Sequence, residues 1–401
     1  MHVPRECYQL MDELEQHLPS LDPVQLRGLA WWLYGAIEAE SACQSKVTQA
    51  LLPFFATEHA ARQYLREWLY DGEDRAHQVE SQLAVEECFA ELLSWVVAWW
   101  QGTELPLAID ATALGDTVVV LSVAVLYRGS AIPVAWKVLP ANQEGAWIPE
   151  IVTLLERLAP AVPDHWTVLV LTDRGLWSPR IWQQIRANGW HPLMRIRSDA
   201  TFAPHGQQYR SARTLLAGPG HAWVGEGTAF QYAPLRLPST LVVVWEPGQR
   251  EPWLLLTDLE QEQIGVVWYG LRIWIELGFR ALKRLGWHWE RTRRSNPGRV
   301  ARHWLVLAVA TLWTMATGSR GEDAQALGMA PQHLRTPPAT APVHATRTVS
   351  VFWRGVRLLR WQLLRCRRLW RRCWLLPETW PEPSPTLQIT RYVPPQEGAH
   401  A

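Results

Sequence analysis

The chain has 401 residues, 48% of them hydrophobic, and a formal net charge of +1. That is enough apolar material for two or three domains, and the whole-chain charge does not mark a polyanion binder. Five scattered cysteines with no CxxC pair and no His/Cys zinc spacing exclude a zinc module and point to a reduced, intracellular protein. The N-terminus has no apolar signal region, and the longest apolar helix candidate, Trp304 to Met315, is too short to cross a bilayer.

Residues 1–100 read as helices. The run Leu26 to Ala39 places apolar residues at helical spacing, and Ala60 to Leu69 mixes Arg62, Arg66 and Glu67 with apolar positions. Short consecutive helices suit a helix-turn-helix DNA reader or a plain bundle equally well.

At Leu105 the texture changes. Leu107 to Asp110 predicts a short apolar strand ending in a carboxylate. Thr117 to Tyr127 and Ala131 to Val138 predict two more strands around the turn Arg128-Gly129-Ser130. An amphipathic helix over Ala146 to Leu158 follows, then the strand Thr167 to Asp173, again ending in a carboxylate. Ser178 caps and Pro179 opens a helix to about Asn188, and His191 to Ile196 is one more strand. The order β-β-β-α-β-α-β predicts a mixed sheet flanked by helices.

Residues 198–262 alternate glycines, prolines and short strands, including Leu241 to Trp245 and Trp253 to Thr257, and predict a β-rich insertion. A second core segment spans residues 263–320. From Gly318 to His344 the chain reads as a linker, followed by an arginine-rich helix and a Pro-rich, mobile tail after Leu376. Cations dominate between Arg272 and Arg302, and nine arginines with no acid lie between Arg347 and Arg372. Such stripes suit a polyanion, or else form solvated helix faces.

The most informative segment is Tyr269 to Lys283. At roughly 100° per residue on an α-helix, Tyr269, Arg272, Glu276 and Lys283 fall on one side, with Arg280 beside them. Leu271, Trp274, Ile275, Leu282 and Leu285 cluster opposite, as a buried face. A carboxylate in a row of long cations and a phenol is a poor core. It is a good way to hold a metal beside a phosphate backbone.

The spacing Tyr-x2-Arg-x3-Glu-x6-Lys resembles the signature of the insertion-sequence-four family of bacterial DDE transposases. The Thr-Asp-Arg-Gly around Asp173 and the Asp-Ala-Thr beginning at Asp110 are similar to the aspartate segments of that family. The resemblance covers about residues 20–320; the C-terminal stretch matches nothing in the family.

It implies an RNase H-like core in two parts, 101–197 and 263–320, interrupted by the insertion at 198–262. An end-reading helical domain would occupy residues 1–100, and the linker, helix and tail residues 321–401. It implies an Asp-Asp-Glu triad of Asp110, Asp173 and Glu276 holding Mg²⁺, with Mn²⁺ substituting. Tyr269, Arg272, Arg280 and Lys283 would hold DNA.

The implied partners are transposon-end DNA and target DNA, with a homodimer at synapsis and no membrane, in the cytoplasm of a bacterium. A tryptophan of the insertion, Trp245 or Trp253, is a candidate to stack on a flipped base, with core packing the alternative for both. Asp116, Asp199, Asp258, His288 and His303 read as structural. The rival readings are a catalytically inactive, transposase-derived DNA-binding protein and an unrelated two-metal nuclease.

Overall fold

The computed structural model describes residues 3–70, 83–141, 147–326, 347, 349–365, 369 and 373–394. Five helices open the chain: α1 (Arg5–His17), α2 (Pro23–Ala39), α3 (Gln44–Leu51), α4 (Glu58–Leu69) and α5 (Cys88–Trp99). The start of α2 is fixed by its sequence. Asp22 accepts from the amides of Val24 and Gln25, Gln25 answers the Asp22 amide, and Pro23 opens the first turn.

Strands β1 (Glu104–Leu114), β2 (Val118–Tyr127) and β3 (Ser130–Pro140) form an antiparallel meander. Helix α6 (Trp147–Leu158) leads to β4 (Thr167–Thr172), and α7 (Pro179–Ala187) to β5 (His191–Arg195). The Ser178 side chain caps α7, as its position before Pro179 predicts. The strands β4 and β5 run parallel to β1, giving the order β3-β2-β1-β4-β5. This is the mixed, helix-flanked sheet required by the RNase H-like expectation.

The β-rich stretch contributes β6 (Thr201–Pro204), β7 (Arg210–Ser211), β8 (His221–Ala229), β9 (Leu237–Trp245) and β10 (Trp253–Thr257). It does not fold as a separate layer. Its last strand, β10, pairs antiparallel with β5, so core and insertion share one continuous sheet.

Past a 3-10 turn at Trp268–Arg272 come α8 (Ile273–Arg280), α9 (Pro297–Ala326) and α10 (Val351–Leu364). The N-terminal helices pack on α9 and α10, so α2, α9 and α10 share one hydrophobic core with the sheet. Many of the tryptophans serve that core: Trp31, Trp32, Trp95, Trp136, Trp182, Trp287, Trp289, Trp304 and Trp313 are all but fully enclosed. No described helix is long and apolar enough to cross a membrane.

Three expectations are corrected at the C-terminal end. Helix α9 continues through Gly318 to Ala326, because that glycine sits where α10 crosses and leaves no room for a side chain. The rest of the expected linker lies outside the described residues.

The segment after Leu376 is docked rather than loose. Leu375 exchanges backbone hydrogen bonds with Trp99 and Gln101, and Trp380 meets Trp268 edge-to-face at 4.5 Å. Strand β11 (Gln388–Arg391) then adds in parallel to β8, and the Tyr392 hydroxyl donates to the His205 carbonyl. Apolar and aromatic anchors spaced between the prolines hold it.

The arginine stripes are also less free than their composition suggests. Arg302 is buried and donates to the Leu69 carbonyl, Arg299 lies 3.6 Å over the Tyr70 ring, and Arg294 donates to Gln44. Arg347 pairs with Glu322 and Glu378, and Arg360 pairs with Glu40. Arg357 and Arg365 are exposed, whereas Arg367, Arg368, Arg371 and Arg372 lie outside the described residues.

Candidate active site

Strand pairing brings the two aspartates level. The parallel ladder of β1 and β4 ends at the pair Ile109 and Thr172, so the next residues, Asp110 and Asp173, emerge side by side. Asp173 follows β4 as expected and accepts from the Arg174 amide at 2.7 Å. Asp110, expected to end its strand, lies inside it. The strand runs on to Leu114 because β2 continues to pair with it, with Asp110 opposite Ser122.

The segment carrying Glu276 is not one uniform helix. It tightens to 3-10 at Trp268–Arg272, is α-helical over Ile273–Arg280, and widens to a π turn at Ala281–Leu285 that Gly286 ends. These changes of pitch rotate the row predicted for a regular helix. Tyr269, expected to hold DNA, instead turns inward and is buried, Ile273 faces solvent, and Leu285, expected in the buried face, is half exposed. Leu271, Ile275 and Leu282 are buried as the spacing predicts.

Helix α8 sits close on the sheet because Gly278 has no side chain. A Cβ there would stand 2.8 Å from that of Ala131 in β3.

Arg272 is the centre of the arrangement. Its Nη2 donates to Asp110 Oδ2 at 2.9 Å and lies 3.7 Å from Asp173 Oδ2, while Nη1 donates to Glu276 Oε1 at 2.8 Å. All three predicted carboxylates therefore converge on one guanidinium. Burial pushes the Asp110 carboxyl above its ordinary range, against the pull of Arg272; Asp173 and Glu276 push it further up. Burial works against the Arg272 charge, yet Asp110, Tyr269, Asp173 and Glu276 leave it held more firmly than a free arginine.

The Tyr269 hydroxyl donates to the Thr172 carbonyl at 3.2 Å and lies 3.5 Å from Asp173 Oδ1, and burial raises its pKa far above the ordinary phenol range. Its ring meets Trp253 edge-on at 5.1 Å, which gives that tryptophan a packing role. The other candidate, Trp245, bonds the Gln249 carbonyl and has Arg213 over its ring.

Arg280 is exposed, and Lys283 is half buried with its pKa lowered by that burial; neither forms an ion pair among the described residues. Arg280 lines a cleft between α8 and the start of α10.

Sequence reasoning missed Arg195 and Glu251. Arg195 donates to Glu251 at 2.7 Å and stands 3.9 Å from Asp173, and Arg174 approaches Glu251 at 3.4 Å. The available signal is an arginine closing the apolar strand His191–Arg195, which needs an acid nearby once partly buried. Asp258 pairs with Arg186 and His191.

Three carboxylates are the oxygen donors that a hard divalent cation takes. The donor chemistry fits such a cation; the present spacing does not, because Arg272 stands among the carboxylates. Among the described residues no group of three or more His, Cys, Asp or Glu side chains is arranged to hold a metal ion.

A search of curated proteins finds no match. The piggyBac transposase, solved by cryo-electron microscopy in a synaptic complex with hairpin DNA, aligns with 10% identity and a TM-score of 0.37 over 86% of each chain. Residues 125–313 match the family model described as the Transposase DDE domain, a segment that holds Asp173, Arg195, Tyr269, Arg272, Glu276 and Lys283 but not Asp110, so that over this stretch the chain is similar to DDE transposases.

Proposed function

We propose that this chain is a DNA transposase of the insertion-sequence-four kind, of bacterial origin, which cleaves the ends of its element and joins them to target DNA. The observation that carries the reading is the convergence of Asp110, Asp173 and Glu276, from three separate elements, on one point, the Arg272 guanidinium. With Arg272 moved aside, Mg²⁺, or Mn²⁺ in its place, held by these carboxylates would supply the Lewis acidity that phosphodiester cleavage and strand transfer by two metals require. The match to the Transposase DDE domain supports a transposase function.

Each side chain then has a task. Tyr269 and the β1–β4 ladder fix the aspartates. Arg272, Arg280 and Lys283 hold backbone phosphates of the transposon end, arginine by its planar fork and lysine as a point charge. Synapsis of two ends would bring two copies together as a homodimer on DNA. The protein would act in the bacterial cytoplasm, on the nucleoid.

The alternative is a catalytically inactive, transposase-derived DNA-binding protein. The placement of the Arg272 guanidinium among the three carboxylates favours it.

The test is a strand-transfer assay. Duplexes built from the DNA flanking the gene, where terminal inverted repeats are expected, are incubated with the protein and Mg²⁺. Joined products that disappear in Asp110→Asn, Asp173→Asn and Glu276→Gln support the transposase. Binding without cleavage in either Mg²⁺ or Mn²⁺ supports the inactive alternative.

A further inference from the structure

Arg272 has two demands on it that one position cannot meet. As a phosphate ligand it must reach DNA. In the structure its side chain is 12% exposed and turned onto the carboxylates. It serves Asp110 and Glu276 by direct hydrogen bonds and Asp173 by a longer ion pair.

This placement leaves two imbalances. One guanidinium faces three carboxylates, so the cluster keeps an excess of negative charge. The Arg272 Nε is buried and has no hydrogen-bond partner. A buried donor without an acceptor costs free energy, so the guanidinium gives up less by leaving than its ion pairs alone suggest. The other cation near Asp173, Arg195, is held by Glu251 at 2.7 Å, and so is not free to replace Arg272.

We propose that Arg272 is an intramolecular stand-in for the divalent cation: it occupies the carboxylate cluster in the DNA-free protein and must leave before a cation enters. A phosphate of the DNA backbone draws the guanidinium outward, which frees the cluster. Metal loading is thereby coupled to DNA binding, and the DNA-free protein is kept from indiscriminate cleavage. The inference rests on the reading of Asp110, Asp173 and Glu276 as a cation site.

A direct check is Mn²⁺ binding to the full chain without DNA, read from the electron paramagnetic resonance of free Mn²⁺. Arg272→Met keeps the bulk of the stem and removes the charge. It should bind Mn²⁺ about tenfold more tightly than the native protein, an ordinary scale for coupling between two ligands of one site. Arg272→Lys, which keeps the charge but reaches fewer carboxylates, should give a smaller gain and serves as the reading if the methionine variant does not fold. Adding Asp110→Asn to Arg272→Met should abolish the gain.

If neither single variant binds Mn²⁺ more tightly than the native chain, the stand-in role is wrong. A 30-base-pair duplex should then raise Mn²⁺ affinity in the native chain and not in Arg272→Met; equal enhancement in both overturns the coupling. These titrations involve no turnover. A gain in Mn²⁺ affinity without any strand transfer would therefore sink the transposase reading and leave the stand-in intact.

Discussion

The hydroxyl of Tyr269 donates to the carbonyl of Thr172, the last residue of β4 before Asp173. The bond ties the 3-10 turn ahead of α8 to the strand end that carries the second aspartate, so the two halves of the carboxylate cluster are joined by more than Arg272. Removing the hydroxyl in Tyr269→Phe leaves the ring against Trp253 and should cost about 1 kcal/mol of stability, the scale of one net hydrogen bond. Asp173 loses its brace, so cleavage should fall while affinity for the flanking-DNA duplex stays. Urea unfolding and a cleavage assay on the same variant check both parts; unchanged cleavage would make the bond purely structural.

Much of the core was legible because it obeys local rules. The valine-rich runs at Val118–Tyr127 and Thr167–Thr172 became strands, and Ser178-Pro179 became a capped helix start. The order of the three carboxylates comes from the resemblance, and pairing of β1 with β4 puts two of them together.

What stayed hidden depends on distant partners. The sequence places Asp110 at a strand end because nothing local says that β2 extends the pairing to Leu114. The change of pitch between Tyr269 and Leu285, from 3-10 through α to π, follows no periodic signal in the segment. Arg302 and Arg299 read in the sequence as parts of a DNA-binding stripe, but they are engaged by Leu69 and Tyr70 at the end of α4.

The crossing of α9 and α10 depends on two glycines. A Cβ on Gly318 would collide with the Val351 carbonyl, and one on Gly355 with the Thr314 carbonyl. Glycine inside a helix is costly by propensity, so close approach is the reason for both. Gly355→Ala should destabilise the protein by about 1–3 kcal/mol through overpacking, despite alanine's better helix propensity. A denaturant midpoint equal to that of the native protein would show that the two helices can part without cost.

His303 in α9 is fully enclosed beside the Trp32 ring, and burial, with the nearby Arg294 charge, holds its pKa well below the ordinary 6.5. The unfolded chain therefore binds a proton that the folded chain refuses. Stability should be unaffected by this group above about pH 6.5 and should fall below it, by up to about 1.4 kcal/mol per pH unit until the folded pKa is reached. Replacing it in His303→Leu should flatten that part of the pH–stability curve. Thermal unfolding at pH 5.5 and 7.5 gives the comparison, and an equal pH slope in both proteins would assign the acid sensitivity elsewhere.

The exposed cations separate DNA holding from ion pairing within the chain. Arg280, Lys283, Arg357 and Arg365 form no ion pair among the described residues, whereas Arg347 and Arg360 are committed to Glu322, Glu378 and Glu40. Deleting the arginine-rich helix is a poor probe, since Val351, Phe352, Val356 and Leu359 are core residues. Single substitutions are cleaner. Removing one cation that neutralises a duplex phosphate lowers the slope of log affinity against log salt by about 0.9. Arg280→Ala and Lys283→Ala should each lower it by about that amount and weaken binding by about 1–3 kcal/mol, the scale of a charge-assisted hydrogen bond. Arg357→Ala and Arg365→Ala should also reduce the slope if the C-terminal helix follows the backbone. Arg360→Ala should leave the slope alone and cost stability instead, because it strands Glu40. Fluorescence anisotropy of a labelled duplex between about 50 and 200 mM salt, the range over which phosphate neutralisation is read, gives all five slopes. If Arg280→Ala and Lys283→Ala keep the native slope, the cations beside Glu276 are a solvated face and DNA lies elsewhere.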